Sequence, residues 1–268
     1  MNVAVHLKNL GLNPQIISRV GDDELGEELL KFVAENGLTT DLIQHGKSHL
    51  TGIAKANVSN KNEVTYKLVH PVAWDYIQQD DFIEKAVAKS DVFVFGSLAA
   101  RSEATRETLH FLLQKATFKI FDVNLREPFY KQETVEYLLK KADMVKMNSN
   151  ELALISAWNG DEKDEKSNIL ALANRFKIKT ICITRGEHGA ILWTDRNFYE
   201  SKGFAVEVKD TIGSGDSFLA ALLKNLLAKK EPLESLKFAC AMGSLVATFQ
   251  GATPFISEQE VQKLLDKI

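Results

Sequence analysis

The sequence predicts an α/β fold, a mostly parallel sheet flanked by helices, and three observations carry that prediction. Apolar runs of four to six residues alternate with longer amphipathic segments, the pattern of doubly buried strands joined by crossover helices. The last third of the chain is mainly helical in periodicity. One pair of strand-like segments breaks the rhythm, because no crossover helix separates its members. At 268 residues, 45% of them hydrophobic, the chain is long enough to close one such fold around one core. A single domain over 1–268 with a small β lid at about 48–72 is therefore the expected organisation.

Taken in order, Asn2 reads as the N-cap of a helix over 3–10, with Gly11 as its terminator. A strand is predicted over 15–20. Segment 23–36 (DELGEELLKFVAEN) places Leu25, Leu29, Phe32 and Val33 on one face and meets Gly37 where a left-handed cap belongs, so it reads as a helix. The segments 51–58 (TGIAKANV) and 63–69 (EVTYKLV) flank the turn-forming Ser59 to Asn62 and predict a hairpin, either an edge insertion or a flap over a ligand crevice. Further strands are expected at 91–95, 118–123, 142–147, 180–184 and 189–193, with helices at 102–116, 131–141 and 165–177. The charged run 161–166 (DEKDEK) reads as a solvated lead into the last of these. A strand-like 204–208 precedes helices at 215–229, 233–249 and 257–267.

Charge and composition narrow the function. With 33 Lys and Arg against 36 Asp and Glu, a formal net charge of -3 lacks the basic excess that phosphate-backbone binding requires, so nucleic acid is not the expected partner. Small molecules are. The two cysteines, Cys182 and Cys240, each sit in an apolar run without a C-x-x-C partner and read as buried thiols. No apolar run approaches the ~18 residues of a membrane span, and Lys8 interrupts the opening MNVAVHLKNLG where a signal peptide stays apolar, so no membrane partner and a cytoplasmic location are expected. The six histidines show no H-E-x-x-H spacing, which leaves metal hydrolysis without support. Trp74, Trp158 and Trp193 read as packing residues.

The sharpest local feature is the run from Asp210 to Phe218 (DTIGSGDSF), which opens a helix. Its glycines let the backbone approach a ligand, and the unpaired N–H groups of a helix N-terminus attract anions. It is neither a dinucleotide fingerprint, whose third glycine would fall at Phe218, nor a P-loop. Asp216 reads either as a cap that complements the helix dipole or as a general base beside an anion hole. An alcohol attacking a phosphoryl group needs both of the latter parts side by side. Asn148 and Glu151 read on their own as a helix cap and its capping-box partner. Thr184, Gly186 and Gly189 mark a strand end and tight turn, where open α/β sheets bind nucleotides. Gly251 reads as a helix C-cap, Asp210 as a turn residue, and Asp122, Asn124 and Arg126 as polar groups at a strand end.

These residues also resemble a known family. The run 210–223 (DTIGSGDSFLAALL), the spacing of Asn2, Ala4, Gly11 and Gly21, the segment RVGDDELG (19–26), the Asn148-x-x-Glu151 pair and TRGEHGA (184–190) are similar to the ribokinase-like, or PfkB-type, carbohydrate kinases over essentially the whole chain. The resemblance implies an ATP-dependent sugar kinase with magnesium. It implies Asp216 as base, Gly213, Ser214 and Gly215 as anion hole, and Asn148 and Glu151 as holders of the magnesium shell and phosphates, Glu151 through water. Thr184, Gly186, Gly189, Gly251 and Ala252 would border ATP, and Asp210 would help hold a monovalent cation such as K+. The D-x-N-x-R of Asp122, Asn124 and Arg126, with PVAWDYI (71–77), is most similar to the fructokinase branch, which implies fructose as substrate and fructose 6-phosphate as product. Asn2, Thr51 and Ile53 would join those three as sugar contacts, the last two on the hairpin that serves the family as lid and, in relatives, as a homodimer contact. A kinase for ribose or 2-keto-3-deoxygluconate, or a truncated nucleotide-binding protein without turnover, are the alternatives. Against the family pattern, a first strand with a sugar-binding Asp and a Gly-Gly loop do not precede Asn2, so the resemblance implies an N-terminally truncated form.

Overall fold

The computed structural model describes residues 1–58, 64–158, 160 and 164–267. The expected turn at Ser59 to Asn62 and the first half of the charged run, 161–163, lie outside the described residues. The chain divides into two compact units, one of residues 1–14, 92–97 and 118–268, the other of 15–91 and 98–117.

The first unit begins with α1 (Asn2–Asn9), whose cap position is Met1, without a side-chain cap bond. Asn2 is thus the first helical residue rather than the N-cap, because its amide is drawn to a partner elsewhere. Gly11, at φ +82°, ends the helix as expected, with Leu12 N donating to Leu7 O across the left-handed turn.

In the second unit β1 (Ser18–Gly21) pairs in parallel with β2 (Ile43–Gly46), and α2 (Glu24–Glu35) crosses between them. Asp23 accepts from Gly26 N at 2.8 Å to cap α2, Val33 is fully buried, and Gly37 at φ +70° follows, so this helix matches its sequence reading. β2 lies outside the elements predicted above, since IQHG is short and half polar. β3 (Ala54–Val58) and β4 (Val64–Leu68) form the hairpin as a separate two-stranded antiparallel sheet. α3 (Asp81–Lys89) and α4 (Glu103–Lys115) complete the unit. Its interior holds a buried ion pair: Arg101 donates through Nε and Nη2 to the two oxygens of Asp75, each at 2.7 Å, while its guanidinium lies 3.8 Å from the centre of the Trp74 ring. Burial works against the Asp75 carboxylate, but Arg101 and the Val72 N–H outweigh it and hold the group below the usual range.

The remaining elements build the sheet of the first unit. β5 (Phe93–Gly96), β6 (Lys119–Asp122), α5 (Gln132–Lys141), β7 (Met144–Asn148), α6 (Ser149–Trp158), α7 (Glu165–Phe176), β8 (Thr180–Thr184), β9 (Ala190–Thr194) and β10 (Asn197–Ser201) follow one another. The sheet order is β10-β9-β8-β7-β6-β5; β5 to β8 are parallel, and β9 and β10 join antiparallel. Met147, Ile181, Cys182, Ile183, Ile191 and Leu192 are fully buried, as expected of strands covered on both faces. Helices α8 (Ser214–Leu227), α9 (Pro232–Val246) and α10 (Glu258–Leu265) close the unit, and their buried residues share one core cluster with Leu10, Ile120 and Met144.

One predicted strand does not form. Residues 204–208 run as irregular chain because the sheet already ends at β10, and at Gly203 the backbone presses so close to Glu187 O that only a glycine fits. Phe204 still turns into the core, whereas Val208 is exposed. Cys182 and Cys240 are both buried and free; burial pushes both thiols up, Cys240 to about 11, so neither is a ready nucleophile. Among the described residues no helix is long and apolar enough to cross a membrane.

Candidate functional site

The sequence DTIGSGD folds into a tight loop because Asp210 organises it. Its Oδ1 accepts from Ile212 N at 2.9 Å and its Oδ2 from Gly251 N at 3.2 Å, which ties the loop to the segment after α9. Gly213 then takes φ +80° and serves as N-cap of α8 without any side-chain cap. A Cβ there would fall 2.1 Å from Ala252 O, so only glycine fits on both counts. Ser214 N bonds to Thr211 O at 3.3 Å and Ser217 N to Gly213 O at 2.8 Å. Among the described residues the N–H groups of Gly213, Gly215 and Asp216 make no hydrogen bond within the chain, and the buried Ser214 hydroxyl has no partner. Four donors at a helix N-terminus are thereby left for an anion.

Beside them, the Asp216 carboxylate is held by α1: Asn2 Nδ2 donates to Asp216 Oδ2 at 2.8 Å. From the same helix, buried His6 sets its Nε2 2.9 Å from Ala252 O. Burial lowers its basicity despite that bond and the nearby Asp216, so the ring stays neutral at physiological pH. Both contacts bring α1 against the loop and first turn of α8.

Sheet register supplies the next group. Asp122 at the end of β6 and Lys146 in β7 are neighbours across the two strands, and their side chains pair at 3.0 Å with both about 10% exposed. Burial raises the Asp122 carboxyl, with Asp216 and Glu151 adding to the effect and Lys146 opposing it. Past Asp122 the chain bends at Asn124, φ +39°, whose carbonyl accepts from Ser97 Oγ. Arg126 points its guanidinium back to Leu125 O at 3.3 Å.

Asn148 and Glu151 form the reciprocal capping box of α6: Asn148 Oδ1 accepts from Glu151 N and Glu151 Oε2 from Asn148 N, both at 2.8 Å. Glu151 Oε1 also accepts from Leu125 N, so this one carboxylate clamps the 122–126 loop to α6. Asn148 is exposed. Together with Ser149, Asn150, Glu165, Thr184, Arg185, Gly186 and His188 it lines a cleft of about 370 Å³. Gly186, at φ +57°, is part of that lining; Gly189 follows at φ +88°, and a Cβ on it would strike Ser201 O at 2.1 Å. Arg185 is fixed by Glu165 and by Glu200, the latter at 3.0 Å, and Ser149 Oγ donates to Glu165.

The structure therefore brings Asn2, Asp210, Gly213, Ser214, Gly215, Asp216, Gly251 and Ala252 into one corner, and Asn148, Thr184 and Gly186 onto one cleft. Thr51 and Ile53 lie in the second unit. Thr51 is buried, its hydroxyl accepting from Gly21 N at 2.8 Å and its N–H donating to Asp23, whereas Ile53 is exposed. Lys146 and His6 escaped the sequence reading. The available signals were a lone lysine inside the apolar run DMVKMN and a histidine on the apolar face of α1.

The pfkB family carbohydrate kinase model matches residues 1–259. Among curated proteins, "Probable fructokinase-5" of Arabidopsis thaliana is 27% identical, over 98% of this chain and 86% of that one. Among solved structures, fructokinase from Xylella fastidiosa with bound ATP superposes with a TM-score of 0.87 at 23% identity, covering 99% of this chain and 89% of that one. Fructokinase from Vibrio cholerae O395 in its fructose, ADP and calcium form gives 0.85 at 22%, covering 98% and 89%.

Proposed function

The chain belongs to the pfkB family of carbohydrate kinases, and from that premise we propose that it phosphorylates fructose with ATP, giving fructose 6-phosphate and ADP. The observation that carries the reading is the pairing, at one helix start, of the N–H groups of Gly213, Gly215 and Asp216, unbonded among the described residues, with a carboxylate that Asn2 holds in place. The kinship with proteins named fructokinases supports the choice of sugar.

In this reading the Asp216 carboxylate accepts the proton of the attacking sugar hydroxyl as the oxygen to γ-phosphorus bond forms and the bond to the β-phosphate oxygen breaks. The free amides and the Ser214 hydroxyl receive the charge that gathers on the phosphoryl oxygens, with each well-placed donor contributing about 3–4 kcal/mol. Asn2 keeps Asp216 from rotating away and is near enough to meet the sugar itself. Asn124 and Arg126 stand beyond the end of β6 as further candidate sugar contacts. The cleft at Asn148, Thr184 and Gly186 would take the nucleotide, whose phosphates run toward Gly251 and Ala252.

The donor set fits a magnesium ion that arrives with the triphosphate. Both oxygens of Glu151 already take a backbone N–H, and among the described residues no group of three His, Cys, Asp or Glu side chains could hold a metal. Asn148 and Glu151 would hold its water shell, and the ion would neutralise phosphate charge. Asp210, each of whose oxygens accepts one N–H of the loop it shapes, keeps lone pairs with which it would help hold a monovalent cation.

A coupled assay of ADP release across fructose, ribose and 2-keto-3-deoxygluconate tests the reading. Fructose is expected to give the highest kcat/KM, and Asp216→Ala to lower kcat by about 10²–10⁴-fold. ATP binding without sugar-dependent ADP release, or a variant that keeps most of the rate, would overturn it.

A further inference from the structure

Lys146 belongs to none of the motifs, yet its ammonium stands at the centre of the corner just described. Asp122 is the one hydrogen-bond partner described for it, at 3.0 Å, although an ammonium carries three donors. The side chain is nevertheless about 10% exposed, too enclosed for water to satisfy the other two freely. From β7 its Nζ reaches beneath the first turn of α8, where a methyl group added to Gly215 would lie 3.2 Å from it. A cation pressed against the positive end of a helix dipole is normally unfavourable. Here the Asp122, Asp216 and Glu151 carboxylates all favour its charged form, Asp122 most strongly, and together outweigh the burial.

Resting on the kinase reading above, we propose that Lys146 is a charged member of the anion hole: its two remaining donors receive the phosphoryl group in transit beside the Gly215 N–H, and Asp122 acts through it as a positioning residue. An enclosed ammonium with donors to spare, aimed at a helix start where, among the described residues, the N–H groups of Gly213, Gly215 and Asp216 make no hydrogen bond, makes a receptor for a multiply charged oxyanion. The small size of residue 215 suits that receptor, since a Cβ there would lie 3.2 Å from the ammonium, which would have to give by a few tenths of an ångström.

Orthovanadate binding in the presence of saturating MgADP and fructose reads this role without turnover. Removing Lys146 alone would strand a buried carboxylate, so Lys146→Met/Asp122→Asn is compared with Asp122→Asn, each checked by thermal melting. The double variant is expected to bind vanadate at least tenfold more weakly than Asp122→Asn while keeping its affinity for MgADP, and its kcat to fall similarly with little change in fructose KM. Lys146→Arg, which keeps charge and donors, is expected to stay within a few fold of the wild type. Vanadate affinity in the folded double variant within twofold of Asp122→Asn, or no vanadate binding by the wild type, would overturn the proposal. Failure of the kinase reading itself has a different signature, the absence of fructose-dependent ADP release by the wild type.

Discussion

Two buried ion pairs in this molecule use similar partners and are built to opposite ends. Asp75 and Arg101, in the unit of residues 15–91 and 98–117, are essentially unexposed and meet through two parallel bonds. Val72 N adds a third donor to Asp75, and the Trp74 ring covers the guanidinium. Asp122 and Lys146, in the sheet of the other unit, meet through one bond, are each about 10% exposed, and leave ammonium donors over. The electrostatics follow the geometry, since the Asp75 carboxyl is held below the usual range and that of Asp122 is raised above it. A pair clasped by two parallel bonds beneath an aromatic ring holds a fold together. In the proposal made above, one joined by a single bond beside the start of α8 is kept for a ligand.

The largest effect that can break this comparison is on stability. Arg101→Met leaves Asp75 buried and uncompensated and is expected to cost about 3–5 kcal/mol in urea unfolding. Asp122→Asn leaves the Asp216 and Glu151 carboxylates to favour the Lys146 charge, so its cost should be smaller than that of Arg101→Met while kcat falls. Equal losses from the two variants would erase the distinction.

A smaller effect sharpens it through pH. Asp75 titrates lower in the folded chain than in the unfolded one, so its contribution is present above the unfolded value near about 4 and is lost as pH falls through its lower folded value. Asp122 titrates higher when folded, so falling pH adds stability as that group takes its proton. Asp75→Asn should therefore flatten the acid limb of the urea midpoint between pH 5 and pH 2, roughly the span where carboxyls titrate, whereas Asp122→Asn should not.

The same contrast shows what could be read from the sequence. Elements with a strong period, such as 23–36 with Val33 inside and Gly37 at its end, were legible because burial and capping are local. β2 and β10 were not, since IQHG and NFYES carry too few apolar residues and owe their form to neighbouring strands. Residues 204–208 show the converse, an apolar pattern with no strand left to pair with. In the site, Gly213 to Asp216 announced themselves because glycine spacing and helix start lie in one short run. Lys146 did not, because its meaning depends on the register that sets Lys146 beside Asp122, 24 residues away. Thr51 enters as a sugar contact by resemblance alone, and its bond from Gly21 N depends on a residue 30 positions away.

In the proposed reaction the first turn of α8 receives the phosphoryl group while Asp216 faces the attacking hydroxyl. A crystal structure with ADP, orthovanadate and fructose tests it most directly. Vanadate oxygens are expected at about 2.7–3.2 Å from the N–H groups of Gly213, Gly215 and Asp216, with a fructose hydroxyl between vanadium and the Asp216 carboxylate. Vanadate seated away from that turn, or the Asp216 side chain directed away from the sugar, would contradict it.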